Sequence, residues 1–330
     1  MEFLVSQLIK KAMQNSRIFG IIRESAVPYA AALVTLLASH YVLGADYDGS
    51  SIEWKLDAGL EKDRFEETLE TRRGEGMRVV DIEQYRAGRS TKQAALWVKA
   101  MPSDEWDTQR GLTVVEFKEE NEKNLKRGFV PVDIEVDRVG ASLNFGGVWL
   151  RSNEDFTTEM RFGMDDLMFS NLYGEMADRD YRLIDFEAYE SNGKTIYAAI
   201  WKPKQGEKAR FYRGLTKEDF GRVSAQLTEE GFRLMDIEGY TVDGDLKFAC
   251  EWVTLEEKQQ SQFAYHMMAD EFYQKNAALT NDGFRLTDIE AYEIGRGEIR
   301  YAGSWTSGKK RVEAEPSKKN RKRDIFKRPG

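Results

Sequence analysis

The sequence contains a pair of acidic residues, separated by one position, five times. The pairs recur every 51 or 52 residues, as Asp81/Glu83, Asp133/Glu135, Asp185/Glu187, Asp236/Glu238 and Asp288/Glu290. On a β-strand, two side chains with this spacing point to the same face. Such carboxylates could bind Ca²⁺ through their oxygens, hold a polyol or a cationic partner, or perform the acid–base steps of a glycosidase.

A structural role is the alternative for these pairs. The carboxylates could accept hydrogen bonds from backbone amides or pair with Arg182, Arg233 and Arg285, and so hold the turn of each copy in shape. Because one active site would need only one copy of the pair, its presence in all five copies favours the structural role. We therefore predict no catalytic, cofactor-binding or metal-binding residue.

Other catalytic chemistry is poorly supported. The chain has two histidines, His40 and His266, and one cysteine, Cys250, which is too few for a zinc site or a Ser-His-Asp or Cys-His site. Cys250 occupies a position that is small in the other copies, so we predict a buried filler rather than a reactive thiol.

The acidic pairs lie in a longer repeated pattern that predicts β-hairpins. The predicted hairpins cover residues 76–97, 128–149, 180–201, 231–252 and 283–305. A Trp follows each Asp of the pattern by 16 or 17 positions. Asn192-Gly193 and Asp243-Gly244 are dipeptides that suit tight two-residue turns.

A helix is predicted before each hairpin. In the fourth copy Thr216 is a good N-cap, and Phe220 leads an apolar helix face. Eleven positions after the equivalent Phe, every copy has a residue that could end the helix in the left-handed conformation. This residue is Gly in four copies and Asp180 in the third.

These elements predict an α+β fold of five tandem αββ repeats of about 52 residues. One such unit cannot bury both faces of its hairpin, so neighbouring units must stack. We expect residues 46–308 to form a curved or closed antiparallel sheet of about ten strands, with the helices on one face. Residues 50–56 could add a partial strand that caps or closes the array.

The N-terminal region has the composition of a membrane anchor. Residues 26–45 contain no charge over 20 positions, which is about the length of a transmembrane helix. Residues 1–25 form a basic, amphipathic pattern that suits a helix on a membrane surface. The charge bias predicts a cytoplasmic N-terminus and a repeat domain on the other side of a bacterial inner membrane. A cleaved signal peptide and a buried helix of a soluble protein are the alternatives.

Charge is distributed unevenly along the chain. Residues 1–25 carry +2 and residues 309–330 carry +7, so the net charge of −8 leaves −17 for the block between them. We expect no nucleic-acid partner, because an acidic block of this kind repels phosphate and is a poor general nucleic-acid binder. Residues 309–330 are predicted to form a disordered basic tail that is solvated, or that contacts anionic lipid or a partner protein.

The repeated motifs resemble a known family. The pattern G-[FY]-R-[LV]-x-D-I-E-x-Y, a Gly-bearing turn, Y-A-A-x-W and a G-[LM]-T-x-x-x-F helix start are similar to the bacterial tandem repeat family, over residues 54–305. That family also occurs in the N-terminal half of polyglycine hydrolases and other β-lactamase-like secreted proteins. The resemblance implies an extracytoplasmic, non-catalytic repeat array without the accompanying serine hydrolase domain.

The sequence therefore predicts a membrane-anchored accessory or scaffolding subunit of a larger membrane protein complex. The subunits of that complex would be its partners, and residues 26–45 would contact the bilayer. A ligand-binding module for a cell-wall polymer or Ca²⁺ is the alternative, and a carboxylate-based hydrolase is a third.

Overall fold

The structure is a computed structural model that describes residues 53–87, 90–101, 104–139, 142–152, 157–256, 259–295 and 297–307. The predicted amphipathic segment 1–25, the predicted transmembrane helix 26–45 and the predicted tail 309–330 lie outside these ranges. Among the described residues, no helix has both the length and the apolar character needed to cross a membrane.

Each of the five units contains a strand, a helix and a hairpin, in that order. The helices are α1 (Lys62–Gly74), α2 (Val114–Lys126), α3 (Asp166–Asp178), α4 (Lys217–Glu229) and α5 (Ala269–Asn281). The strands before the helices are β1 (Trp54–Leu60), β4 (Trp106–Leu112), β7 (Glu159–Met164), β10 (Ala209–Leu215) and β13 (Gln260–Met267). The hairpins are β2 (Met77–Ala87) with β3 (Ser90–Lys99), β5 (Phe129–Val139) with β6 (Ser142–Arg151), β8 (Tyr181–Ser191) with β9 (Lys194–Pro203), β11 (Phe232–Val242) with β12 (Asp245–Thr254), and β14 (Phe284–Glu293) with β15 (Ile299–Ser307).

The predicted αββ unit lacked one strand. In every unit the strand before the helix pairs antiparallel with the returning strand of the hairpin, so the sheet order is β1-β3-β2 in the first unit and equivalent in the others. These strands are short, and each has a register shift near its end, as between Asp57 and Leu60. The sequence WDTQRGL in β4 lacks a clear alternation of apolar and polar residues, so its periodicity gave no signal. The sequence WKLDAGL in β1 does alternate, and β1 overlaps the partial strand expected at 50–56, but it pairs with β3 of its own unit and does not close the array.

The expected single antiparallel sheet is wrong. The fifteen strands form five separate three-stranded sheets, and no backbone ladder joins one sheet to the next among the described residues. The units follow one another around a ring, with β2, β5, β8, β11 and β14 on the inside, and β14 also contacts β2. The Tyr301 hydroxyl lies 3.0 Å from the Tyr85 hydroxyl, so unit five packs directly on unit one.

The core of each unit lies between its helix and its sheet. The five tryptophans that end the repeated motif are at most 1% exposed. In unit three, the rings of Phe169 and Trp201 lie 6.2 Å apart between centroids, and the rings of Phe169 and Phe186 lie 5.2 Å apart. Burial of such aromatic pairs is a large source of stability for each unit.

The predicted helix ends and turns are confirmed. Asp180, which replaces the helix-ending Gly in unit three, has a φ of 60°. Asn192 and Gly193 have φ values of 54° and 72°, as a two-residue hairpin turn of the primed type requires. The N-cap prediction also holds, since Thr216 Oγ1 accepts a hydrogen bond of 3.1 Å from the Asp219 amide.

Candidate functional site

The ten repeated carboxylates come together on the axis of the ring. We call Asp81, Asp133, Asp185, Asp236 and Asp288 the Asp ring, and Glu83, Glu135, Glu187, Glu238 and Glu290 the Glu ring. The Asp ring lines a cavity of about 60 Å³. The Asp ring and the members of the Glu ring other than Glu135 line a second cavity of about 20 Å³. The sequence predicted only that the two carboxylates of each pair point to the same face of a strand, and the structure places the pairs of all five units around one axis.

A β-bulge in each inner strand aims its Asp at the axis. The pairing of β2 with β3 shifts between Val79 and Asp81, and the same shift precedes the Asp in the other four units. A bulge lets two successive side chains approach the same side of a strand. Val80 and Asp81 accordingly both line the larger cavity, which simple alternation would not allow.

The carboxylates bond to the backbone of the preceding unit in the ring. The Ile82 amide donates to Asp133 Oδ1 over 3.3 Å, and the Ile134 amide donates to Asp185 Oδ2 over 2.5 Å. In the Glu ring, the Gly239 amide donates to Glu290 Oε1 over 3.0 Å. Backbone amides were one of the predicted partners. The bonds, however, join neighbouring units and do not hold the turn of one unit in shape.

Arg182, one of the predicted arginine partners, binds groups outside the two carboxylate rings. The side chain of Arg182 is fully buried and binds Glu207 and the Leu183 carbonyl. In unit one, Arg78 at the equivalent position pairs with Asp104 over 3.1 Å. Both acidic partners lie in the connection after the hairpin. These arginines therefore hold the connection to the next unit.

Burial raises the pKa of every carboxyl group in the two rings, with repulsion from neighbouring carboxylates as a further cause in most of them. It raises the pKa of Asp81 to about 8 and the pKa values of Asp185 and Glu290 to about 7. Glu290 also shares side-chain hydrogen bonds with Glu83 and Glu238. A hydrogen bond between two carboxyl groups needs a proton on one of them, so the Glu ring retains protons near neutral pH.

The arrangement can hold protons or a positively charged group on the axis. Within the described ranges, no three His, Cys, Asp or Glu side chains are placed to hold a metal ion. A carboxylate ring with an open cavity can still accept hydrogen bonds from an ammonium or guanidinium group, because such groups do not require a fixed coordination geometry.

The structure describes two of the other sequence candidates. Cys250 is buried, as predicted, and burial raises the pKa of its thiol to about 12. His266 lies near the end of β13 with a φ of 61°, and its amide donates to the Tyr292 hydroxyl over 3.0 Å. His40 lies outside the described residues.

A buried carboxyl group that the sequence reasoning missed lies beside the Asp ring in unit four. Glu251 is 1% exposed, pairs directly opposite Asp236, and has no hydrogen-bond partner for either carboxylate oxygen among the described residues. Burial raises its pKa to about 8. The equivalent residues Leu96, Val148 and Ile200 are apolar, and this difference between copies was a signal available in the sequence.

The sequence reasoning also missed exposed apolar residues at the starts of two neighbouring helices. Val115 is 63% exposed and Leu167 is 69% exposed, and each lies two positions before the buried Phe of its helix. Val114 and Met168 beside them are 47% and 56% exposed. The position of Val115 and Leu167 is acidic in the other three units, as Asp63, Glu218 and Asp270. We call Val114, Val115, Leu167 and Met168 the apolar patch.

Comparison with known proteins supports the repeat assignment. A family model described as "Polyglycine hydrolase-like, structural repeat" matches residues 51–100, 103–152, 157–204, 206–254 and 258–307. Each matched segment begins with the strand before the helix and ends with the hairpin, as the units do in the structure. A search among curated proteins found no match to this chain.

Proposed function

Because the chain belongs to the polyglycine hydrolase-like structural repeat family, we propose that it is a non-catalytic scaffold that binds a partner protein. In this proposal residues 26–45 hold the ring at a membrane, and the apolar patch docks an apolar surface of another subunit of a membrane complex. The observation that carries the proposal is that, of the five described helices, only those of units two and three have an exposed apolar residue, Val115 or Leu167, two positions before the buried Phe.

The apolar patch places apolar residues at helix positions where acidic residues are normally favoured. The first turn of a helix favours acidic residues, because the helix dipole places partial positive charge there. Units one, four and five follow this preference, whereas units two and three place Val115 and Leu167 in water. When a partner covers exposed apolar side chains of this kind, the free energy of the complex is lowered.

The path of the chain leaves the patch accessible. Lys55, near the start of β1, pairs over 2.8 Å with Glu75 at the end of α1, so the chain enters the ring at the end where the helices finish. Equivalent residues of successive units contact one another, so all units have the same orientation. A membrane anchor before residue 53 therefore approaches one face of the ring, and the first turns of the helices lie towards the other face.

The non-catalytic part of the proposal rests on the role of the carboxylates. Hydrogen bonds to the backbone of the preceding unit engage carboxylates in both rings. Residues that join units are needed in each unit, whereas a hydrolase would depend on one pair. Replacing each acidic pair by amides in turn should therefore weaken folding to a similar degree in all five variants.

The test of docking uses Val115→Asp together with Leu167→Glu in the full chain. Acidic residues already occupy this position in three units, so the double variant should fold with an unchanged melting temperature. Crosslinking in native membranes should give a high-mass species with the wild type and at least about a tenfold loss of it in the variant, the equivalent of about 1.4 kcal/mol of binding. Tyr273→Glu, an exposed apolar residue of unit five, is the matched control.

Two outcomes would overturn the proposal that the protein is a scaffold. Equal crosslinking of the wild type and the double variant would show that the patch does not dock a partner. Recovery of the wild type only as a monomer after mild solubilisation would remove the scaffold role altogether. Membrane attachment is tested separately, since Leu36→Arg with Leu37→Arg should release the protein from washed membranes.

A further inference from the structure

None of the described residues that line the two cavities on the axis of the ring is a Lys or an Arg. Within the part of the chain that the structure describes, the two cavities are lined by the Asp ring, by the Glu ring without Glu135 and by uncharged side chains. Asp133 is 6% exposed, and its Oδ2 has no hydrogen-bond partner among the described residues, although its Oδ1 accepts from the Ile82 amide. Asp288 Oδ2 likewise has no partner in the described ranges, and both side chains line the larger cavity.

A buried carboxylate oxygen without a donor is unfavourable, and several of them around one cavity repel each other. A cationic group in the cavity would relieve both costs. Four of the five residues in the Asp ring are only partly buried, so the larger cavity is reached from the face of the ring beyond Val80 and Thr287. The smaller cavity lies deeper, between the two rings of carboxylates.

The chain itself leaves the ring close to this opening. Ser307, the last described residue, pairs with Phe284 at the start of β14, and Thr287 three residues later lines the cavity. Three residues of a strand span roughly 10 Å. The following residues, 308–330, contain ten Lys and Arg against three acidic residues. Because an extended chain covers roughly 3.3 Å per residue, this segment is long enough to reach the axis.

We propose that the larger cavity, which the Asp ring lines, binds an ammonium or guanidinium group from the basic segment 308–330 of the same chain. Charge complementarity supports this occupant, since a segment of +7 is tethered beside two cavities that nine carboxyl groups line, with no Lys or Arg among the described lining residues. An ammonium group donates three hydrogen bonds and fits a space of about 60 Å³. The contact goes beyond the scaffold role, because it attaches the end of the chain to the ring.

The first experiment is zero-length crosslinking of the purified full-length chain with a carbodiimide. Peptide mapping should find bonds between lysines of residues 309–330 and members of the Asp ring. Asp288→Asn should reduce their total yield at least about twofold, whereas Asp282→Asn should not change it. Asp282 is an exposed acid of the same unit, so this control removes the same charge outside the cavity.

The second experiment compares the melting temperature of the wild type with a variant whose ten Lys and Arg in 309–330 are all replaced by Gln. At pH 8, which is at or above the raised pKa values of Asp81 and Asp185, the variant should melt about 2 to 4 °C lower. At pH 5 the carboxyl groups hold their protons, and the difference should shrink below about 1 °C. Sodium chloride at 1 M should also reduce the difference at pH 8, because salt screens the contact.

The proposal is overturned if the two chains melt together at both pH values and no crosslink to the Asp ring forms. It is also overturned if 1 mM CaCl₂ raises the melting temperature of both chains equally and the crosslink is absent, because the cavity would then be a metal site. Crosslinks from the tail to surface acids alone would show an unspecific contact and would contradict the proposal as well.

Discussion

The Ile289 amide donates a hydrogen bond of 3.1 Å to Asp81 Oδ2, which lies 208 positions earlier in the chain. This bond repeats, between unit five and unit one, the contact that Ile82 makes with Asp133 between units one and two. The ring therefore uses the same type of joint where the first and last units meet as it uses between consecutive units.

Asp81→Ala should destabilise the protein, because it leaves the partly buried Ile289 amide without an acceptor. The expected loss in the free energy of unfolding is about 1 to 3 kcal/mol. Asp81→Asn keeps an acceptor oxygen and should cost less. Urea unfolding followed by tryptophan fluorescence measures both. Asp133→Ala, at a joint between consecutive units, is the matched comparison, and an unchanged stability for Asp81→Ala alone would show that the ring is open in solution.

The free energy of unfolding should fall as the pH rises from 5 to 8. The carboxyl groups of both rings have raised pKa values in the folded chain, to about 8 for Asp81 and about 7 for Asp185. The folded state therefore binds protons that the unfolded state has already released, and this stability is lost as the pH passes through the folded values. Urea unfolding at four pH values should show a fall of more than about 1 kcal/mol, the value of one pKa unit. A rise in stability over this range would contradict the assignment.

Glu251→Ile should stabilise the protein. The carboxyl group of Glu251 is buried opposite Asp236 and has no hydrogen-bond partner within the described residues, and unit three has Ile200 at the equivalent place. Removing a buried polar group that has no hydrogen-bond partner stabilises a protein by about 1 to 3 kcal/mol. The gain should be larger at pH 8 than at pH 5, since the pKa of Glu251 is raised to about 8. Thermal unfolding at both pH values tests this, and a lower melting temperature at pH 5 would refute it.

Gly147→Ala should destabilise unit two through overcrowding. A Cβ atom at Gly147 would lie 2.8 Å from the Asp133 carbonyl oxygen and 3.2 Å from the Trp149 ring. Overpacking of this kind costs about 1 to 3 kcal/mol. Gly174→Ala is the control, because a Cβ atom there meets nothing within 4 Å and Gly174 lies inside helix α3. The control should gain up to about 1 kcal/mol, since Ala favours a helix. Equal effects in the two variants would argue against this packing.

Much of the local structure could be predicted from the sequence. The repeated Phe and the left-handed residue after each helix identified the helices, and Asp180 was recognised as a substitute for Gly. The strands before the second to fifth helices were missed, because segments such as β4 are short and have no alternating pattern. The sequence showed that the acidic pairs are equivalent, but it did not show to which unit each carboxylate bonds.

The sequence by itself determined the number of units, the order of helix and hairpin, and the turns, because these depend on residues close together in the chain. Only the tertiary structure decided that the five sheets remain separate, that Asp81 meets Ile289, and that ten carboxyl groups face one axis. The bulge before each Asp reorients the inner strand, and side chains rather than backbone ladders then join neighbouring units. Such contacts depend on the angle between units, and no local pattern of residues specifies that angle.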